Sequence, residues 1–128
     1  MKNFSEATVI KPELKLEMVL ELKAIGICPC RIKINDQLEF YGGLVGTIIF
    51  VKHIPISDPI NINIDINRQH PQAIEIISLT VDHHEILPVY LSSANPPTNY
   101  LDFTGVWTIN IPNFYPWYHE ITGQGWII

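Results

Sequence analysis

Ile60-Asn61-Ile62-Asn63-Ile64-Asp65-Ile66-Asn67 is the stretch that decides the fold. Apolar and polar side chains alternate through it without exception. In an extended chain successive side chains point to opposite faces. The four isoleucines therefore form one face, and the Asn and Asp side chains form the other. This is the pattern of a half-buried strand in an antiparallel sheet. Isoleucine reinforces it, because a branched Cβ is stiff at χ1 and packs well on a pleated surface.

The same rhythm extends outward. Upstream, positions 14, 16, 18, 20, 22 and 24 are apolar, with Lys15, Glu17, Glu21 and Lys23 between them. Leu, Glu, Lys and Met also favour helices. A helix, however, would wrap those apolar positions around its whole axis, so the strand is the better reading. Arg31 to Phe40 reads as a hairpin. Ile32 and Ile34 share a face, Asn35-Asp36 supplies the turn, and Leu38 and Phe40 resume the face. Leu44 to Ile54 is apolar on both faces and predicts a central strand.

Downstream, Ala73 to Val81 is a strand whose apolar parity switches, which suggests a β-bulge near Ile76. Asp82-His83-His84-Glu85 has turn character, and Ile86 to Leu91 follows as the next short apolar segment. Pro96-Pro97 marks the longest loop. Phe103 to Ile111 is a strand with Trp107, Ile109 and Ile111 on one face. Short strands separated by Gly, Pro and Asn breaks predict an all-β fold, an antiparallel β-sandwich or jelly roll of about eight strands. The 128 residues suit one such domain over 1–128.

Composition narrows the function. Charged residues make up 16% of the chain, against about 25% in an average domain. So little charge suggests a surface partly covered by other subunits, or one covered by neutral polar residues. The net charge is −5, and the basic residues are scattered. Nucleic-acid backbones and anionic membranes both require clustered Lys and Arg, so neither is an expected partner. The first residues lack the apolar core of a signal peptide, and no run is long enough to cross a bilayer. The expectation is a protein made and kept in a cytoplasm, or one that leaves it by lysis or packaging.

Candidate sites fall into four groups. Cys28 and Cys30 flank Pro29. A disulfide between them would be badly strained, and a metal pair would need two further ligands. His83, His84 and Glu85 are weak metal candidates, because imidazoles and carboxylates bind divalent ions. The alternative is a solvated turn. Asn61, Asn63, Asp65 and Asn67 form a possible polar ligand face, since amides and carboxylates match sugar hydroxyls. The alternatives are plain solvent exposure and an Asn ladder in a subunit contact. Aromatic residues concentrate in the last third: Tyr100, Trp107, Phe114, Tyr115, Trp117, Tyr118 and Trp126. Of these Tyr115, Trp117, Tyr118 and Trp126, with His119, are the candidate interface residues, because interfaces are enriched in Tyr and Trp. No catalytic constellation, phosphate loop or cofactor motif emerges, so no enzyme activity and no cofactor is expected.

The segment Ile109-Asn110-Ile111-Pro112, through Phe114-Tyr115-Pro116-Trp117-Tyr118-His119-Glu120, to Gly123-Gln124-Gly125-Trp126-Ile127-Ile128 resembles the ends of small uncharacterised proteins of tailed bacteriophages. The resemblance covers about the last fifth of the chain. It implies a virion component of the capsid surface, neck or tail, with a sandwich-like fold and symmetric assembly. The leading expectation is thus a structural protein acting through protein–protein contacts, as a homo-oligomer or part of a larger assembly. A carbohydrate-binding module and a small metal-dependent jelly-roll enzyme are the alternatives.

Overall fold

On the fifth strand Ile60, Ile62, Ile64 and Ile66 are all buried, and the polar residues between them face outward, as the alternation requires. The computed structural model describes residues 15–112. Among these residues nine strands run in the order β1 (Lys15–Ile25), β2 (Cys28–Ile34), β3 (Gln37–Leu44), β4 (Thr47–Pro55), β5 (Ile60–Ile66), β6 (Ala73–Val81), β7 (His84–Glu85), β8 (Tyr100–Leu101) and β9 (Gly105–Ile111). A single helical turn, α1 (Leu87–Tyr90), and a 3₁₀ turn (Leu91–Ser93) lie between β7 and β8. One antiparallel sheet has the order β4-β1-β6, with β7 and β8 both on the far side of β6. The other has the order β3-β2-β5-β9. This is the expected all-β sandwich.

The topology follows from three long segments that each pass through both sheets. β1 continues into β2 after Gly26-Ile27, β3 into β4 after Val45-Gly46, and β5 into β6 after residues 67–72. Because the partners match, β1–β2 pairs with β3–β4 on one side and with β6–β5 on the other. The sandwich is one broad antiparallel ribbon folded over on itself. Gly26 and Gly46 sit at adjacent corners with φ of 73° and 67°, a region that glycine enters without steric cost. The corners are laced together by backbone hydrogen bonds. The Ala24 N–H donates to the Gly46 carbonyl at 2.8 Å, and the Asn67 N–H donates to the Pro29 carbonyl at 3.0 Å.

Between the sheets lies a core that is apolar throughout among the described residues, built from the inward residues of β1, β2, β5, β6 and β9. Trp107 is its largest side chain and is fully enclosed, with Nε1 donating to the Thr98 carbonyl at 2.8 Å. Where β3 and β4 form the open side of the sandwich, Lys52 reaches across to Glu39 at 2.7 Å and to Gln37 at 3.2 Å. An inward-facing charge of this kind disfavours the addition of further strands to the edge.

Four details refine the sequence reading. The parity switch in β6 is a bulge at Ile77, one residue beyond the expected place: Ser78 pairs with Glu21 and Ile76 with Leu22. A second bulge, at Glu39, was not foreseen. Phe40 pairs with Ile32 but Leu38 pairs with Lys33, so Leu38 lies on the outer face and is exposed. The run Leu44 to Ile54 is not a central strand. It breaks at Val45-Gly46, and among the described residues β4 is the edge of its sheet. The segment after Glu85 takes a helical turn instead of extending, with Pro88 in the first turn, where its missing N–H costs nothing.

Candidate functional site

The outer face of the β3-β2-β5-β9 sheet can be read in rows, because paired residues in neighbouring strands share a face. One row runs Tyr41, Arg31, Asp65, Val106. The next runs Leu38, Lys33, Asn63, Thr108. A third pairs Asn61 with Asn110. Side chains opposite one another in such pairs are about 5 Å apart at Cβ, close enough to interact directly.

Within the first row the Arg31 guanidinium lies over the Tyr41 ring, 5.5 Å from its centroid. This is a cation–π arrangement. Asp65 flanks Arg31 on the other side. Two hollows open beside this pair. One, of about 370 Å³, is lined by Pro29, Cys30, Arg31, Tyr41, Gly42, Asp65 and Asn67. The other, of about 260 Å³, is lined by Arg31, Lys33, Asp36, Asn63, Asp65 and Val106. Gly42 contributes to the first by having no side chain to fill it; nothing lies within 4 Å of where a Cβ would stand.

The outward polar side chains of this stretch divide into two groups. Asn63, Asp65 and Asn67 line the hollows. Asn61 does not. Its amide donates to Asn110, its oxygen accepts from Asn63 Nδ2 at 2.9 Å, and its backbone N–H donates to Asn35 at 2.7 Å. The Asn ladder exists, but within one chain, from β9 to β5. Sequence reading missed Arg31, Lys33, Tyr41 and Asp36. The i, i+2 spacing of Arg31 and Lys33 between buried Cys30, Ile32 and Ile34 does signal a shared outer face. What the sequence lacks is the information that β5 lies beside it.

The histidine cluster is pulled apart. Asp82 and His83 take positive φ values of 47° and 70° and form the turn, while His84 and Glu85 make β7. Both acids serve the backbone. Asp82 accepts from the Glu17 N–H at 2.8 Å, and one Glu85 oxygen accepts from the N–H groups of Leu79 and Leu87 at 3.0 and 3.1 Å. Among the described residues no three His, Cys, Asp or Glu side chains gather where they could hold a metal ion. The aromatic candidates Tyr115, Trp117, Tyr118, His119 and Trp126 lie outside the described residues. Of the other aromatics, Trp107 is core and Tyr100 is exposed.

Cys28 and Cys30 both point inward from β2 and are free thiols. Burial pushes both thiols up. Cys28 is partly offset by the positive charge of Arg68, and Cys30 reaches about 12, raised further by its neighbour Cys28. Thiolates are the reactive form, so neither cysteine should react with a thiol reagent at pH 8 until the protein is denatured. A raised folded-state value also carries a pH dependence. The unfolded thiol ionises near about 8.5. Stability from Cys30 is then complete below that pH and declines as pH rises toward about 12. Alkaline melts of the wild type should fall more steeply than those of Cys30→Ala. Equal slopes would show that the thiol is not shielded.

Among the described residues no helix is long and apolar enough to cross a membrane. Comparison of the chain with protein-family models, curated proteins and solved structures found no match.

Proposed function

We propose that this chain is an assembly protein that associates with copies of itself through the outer face of the β4-β1-β6 sheet. The observation that carries this reading is an aliphatic stripe where an edge strand should be polar. Ile49 and Val51 on β4 are 57% and 51% exposed, and Val51 pairs with Val19 on β1. The run Leu44 to Ile54 has the sequence of a strand covered on both faces, yet among the described residues only its inner face is covered. A contiguous apolar patch rimmed by polar residues is the usual mark of a protein–protein contact.

The rim favours a second copy as occupant. Glu17 and His53 stand at one end of the stripe, with Glu21 and Lys23 toward the other. A two-fold axis running across the strands at the stripe would bring Lys23 of one copy toward Glu17 of the other, and most homo-oligomers are built on such isologous contacts. The C-terminal resemblance supplies the setting of the proposal, a bacteriophage virion in which such a unit repeats.

Size-exclusion chromatography with light scattering tests this. The wild type is expected to form an oligomer of defined size. Ile49→Asp is expected to shift it to monomer with its melting temperature nearly unchanged, since surface substitutions usually stay within about 0.5 kcal/mol. A wild type that is monomeric at high concentration, or an Ile49→Asp variant that assembles normally, would overturn the reading.

A further inference from the structure

We propose that the trough on the opposite sheet, centred on Arg31 and Asp65, binds a neutral oligosaccharide. The two hollows adjoin along β2 and share Arg31 and Asp65 as lining, so a ligand laid across that pair would reach both. The trough follows β2 from Pro29 to Lys33, roughly 14 Å at the rise of an extended strand. That length suits several linked sugar rings better than one. The hollows of about 370 and 260 Å³ are together in the size range of small-molecule sites, about 300–1,000 Å³.

Charge selects the ligand class. Arg31 and Lys33 line the trough together with Asp36 and Asp65, two positive and two negative groups. A phosphate or sulfate would meet both carboxylates, and a cation would meet both basic groups. A polyhydroxylated neutral ligand is repelled by neither. Its hydroxyls can donate to Asp65 and Asn67 and accept from Arg31, Lys33 and Asn67. Among the described residues no side-chain hydrogen bond occupies the Asp65 carboxylate, the Asn67 amide or the Lys33 ammonium, so these groups are available. Tyr41, 73% exposed and held against Arg31, presents an aromatic surface of the kind that packs on the apolar face of a sugar ring.

This site is on the sheet opposite the aliphatic stripe and does not depend on self-association, so either proposal can fail alone. The test is an array of neutral gluco-, galacto- and manno-oligosaccharides beside sulfated and sialylated glycans, followed by calorimetric titration of the best neutral binder. Tyr41→Ala and Asp65→Ala are each expected to weaken binding at least tenfold without moving the melting temperature, and Tyr41→Phe to keep it within about twofold. Absence of any neutral binder, a preference for sulfated or sialylated glycans, or full binding by both alanine variants would overturn the proposal.

Discussion

Trp107→Ala is expected to unfold much of the protein at room temperature or to lower its melting point by about 10 °C or more. Removing a fully buried tryptophan costs about 3–5 kcal/mol, because the apolar area is lost and the surrounding sheets cannot close the space. Each kcal/mol shifts the midpoint of a domain of this size by roughly 3–5 °C. A typical domain has only about 5–15 kcal/mol in total. Trp107 is completely enclosed, and it also ties the Thr98 carbonyl, and with it the loop before β8, to the core. Trp107→Phe separates the two contributions. It keeps most of the ring but leaves that carbonyl without its partner, at a cost of about 1–3 kcal/mol if the group stays buried. Thermal and urea melts followed by circular dichroism read both variants. A melting point for Trp107→Ala within a few degrees of wild type would mean that the sheets collapse around the gap or that the core is centred elsewhere.

The second large effect comes from changing order without changing composition. Exchanging Asn63 and Ile64, as Asn63→Ile with Ile64→Asn, should prevent stable folding. Ile64 is fully buried between Ile32 on β2 and Trp107 on β9. An amide there loses the burial of an aliphatic side chain, about 2–5 kcal/mol, and leaves polar atoms without partners, about 1–3 kcal/mol more. The sum is comparable to the whole stability of a small domain. The strand cannot escape by slipping one residue, since that would turn Ile60, Ile62 and Ile66 outward. Asn63→Ile alone serves as the control. It adds an isoleucine to the outer face and should leave the fold intact. A double variant with a wild-type melt would show that alternation in β5 does not set its orientation.

The proposed self-association and the proposed glycan binding would use different outer faces of the sandwich. The aliphatic stripe is on the sheet whose edge is β4, while the charged trough is on the sheet whose centre is β2 and β5. An assembly that buries the first leaves the second facing out, which is the arrangement a repeating unit needs to present a ligand site many times over.

The amino-acid order alone determined which way each side chain of β1, β5 and β9 faces, because alternation in an extended chain is local geometry that no distant contact has to supply. It likewise placed the Asn35-Asp36 turn and brought the β6 bulge to within a residue. Which strand lies beside which was settled only in the tertiary structure. Arg31 and Lys33 became partners of Asp65 and Asn63 because β2 pairs with β5 across an intervening crossing, a long-range choice with no trace in either segment. The same applies to β4. Its apolar residues on both faces are identical in a central strand and in an edge strand, and only the folding-over of the whole ribbon put Ile49 and Val51 on a face that no other described residue covers. The Glu39 bulge, which turned Leu38 outward, also belongs to the pairing of two strands and not to either one.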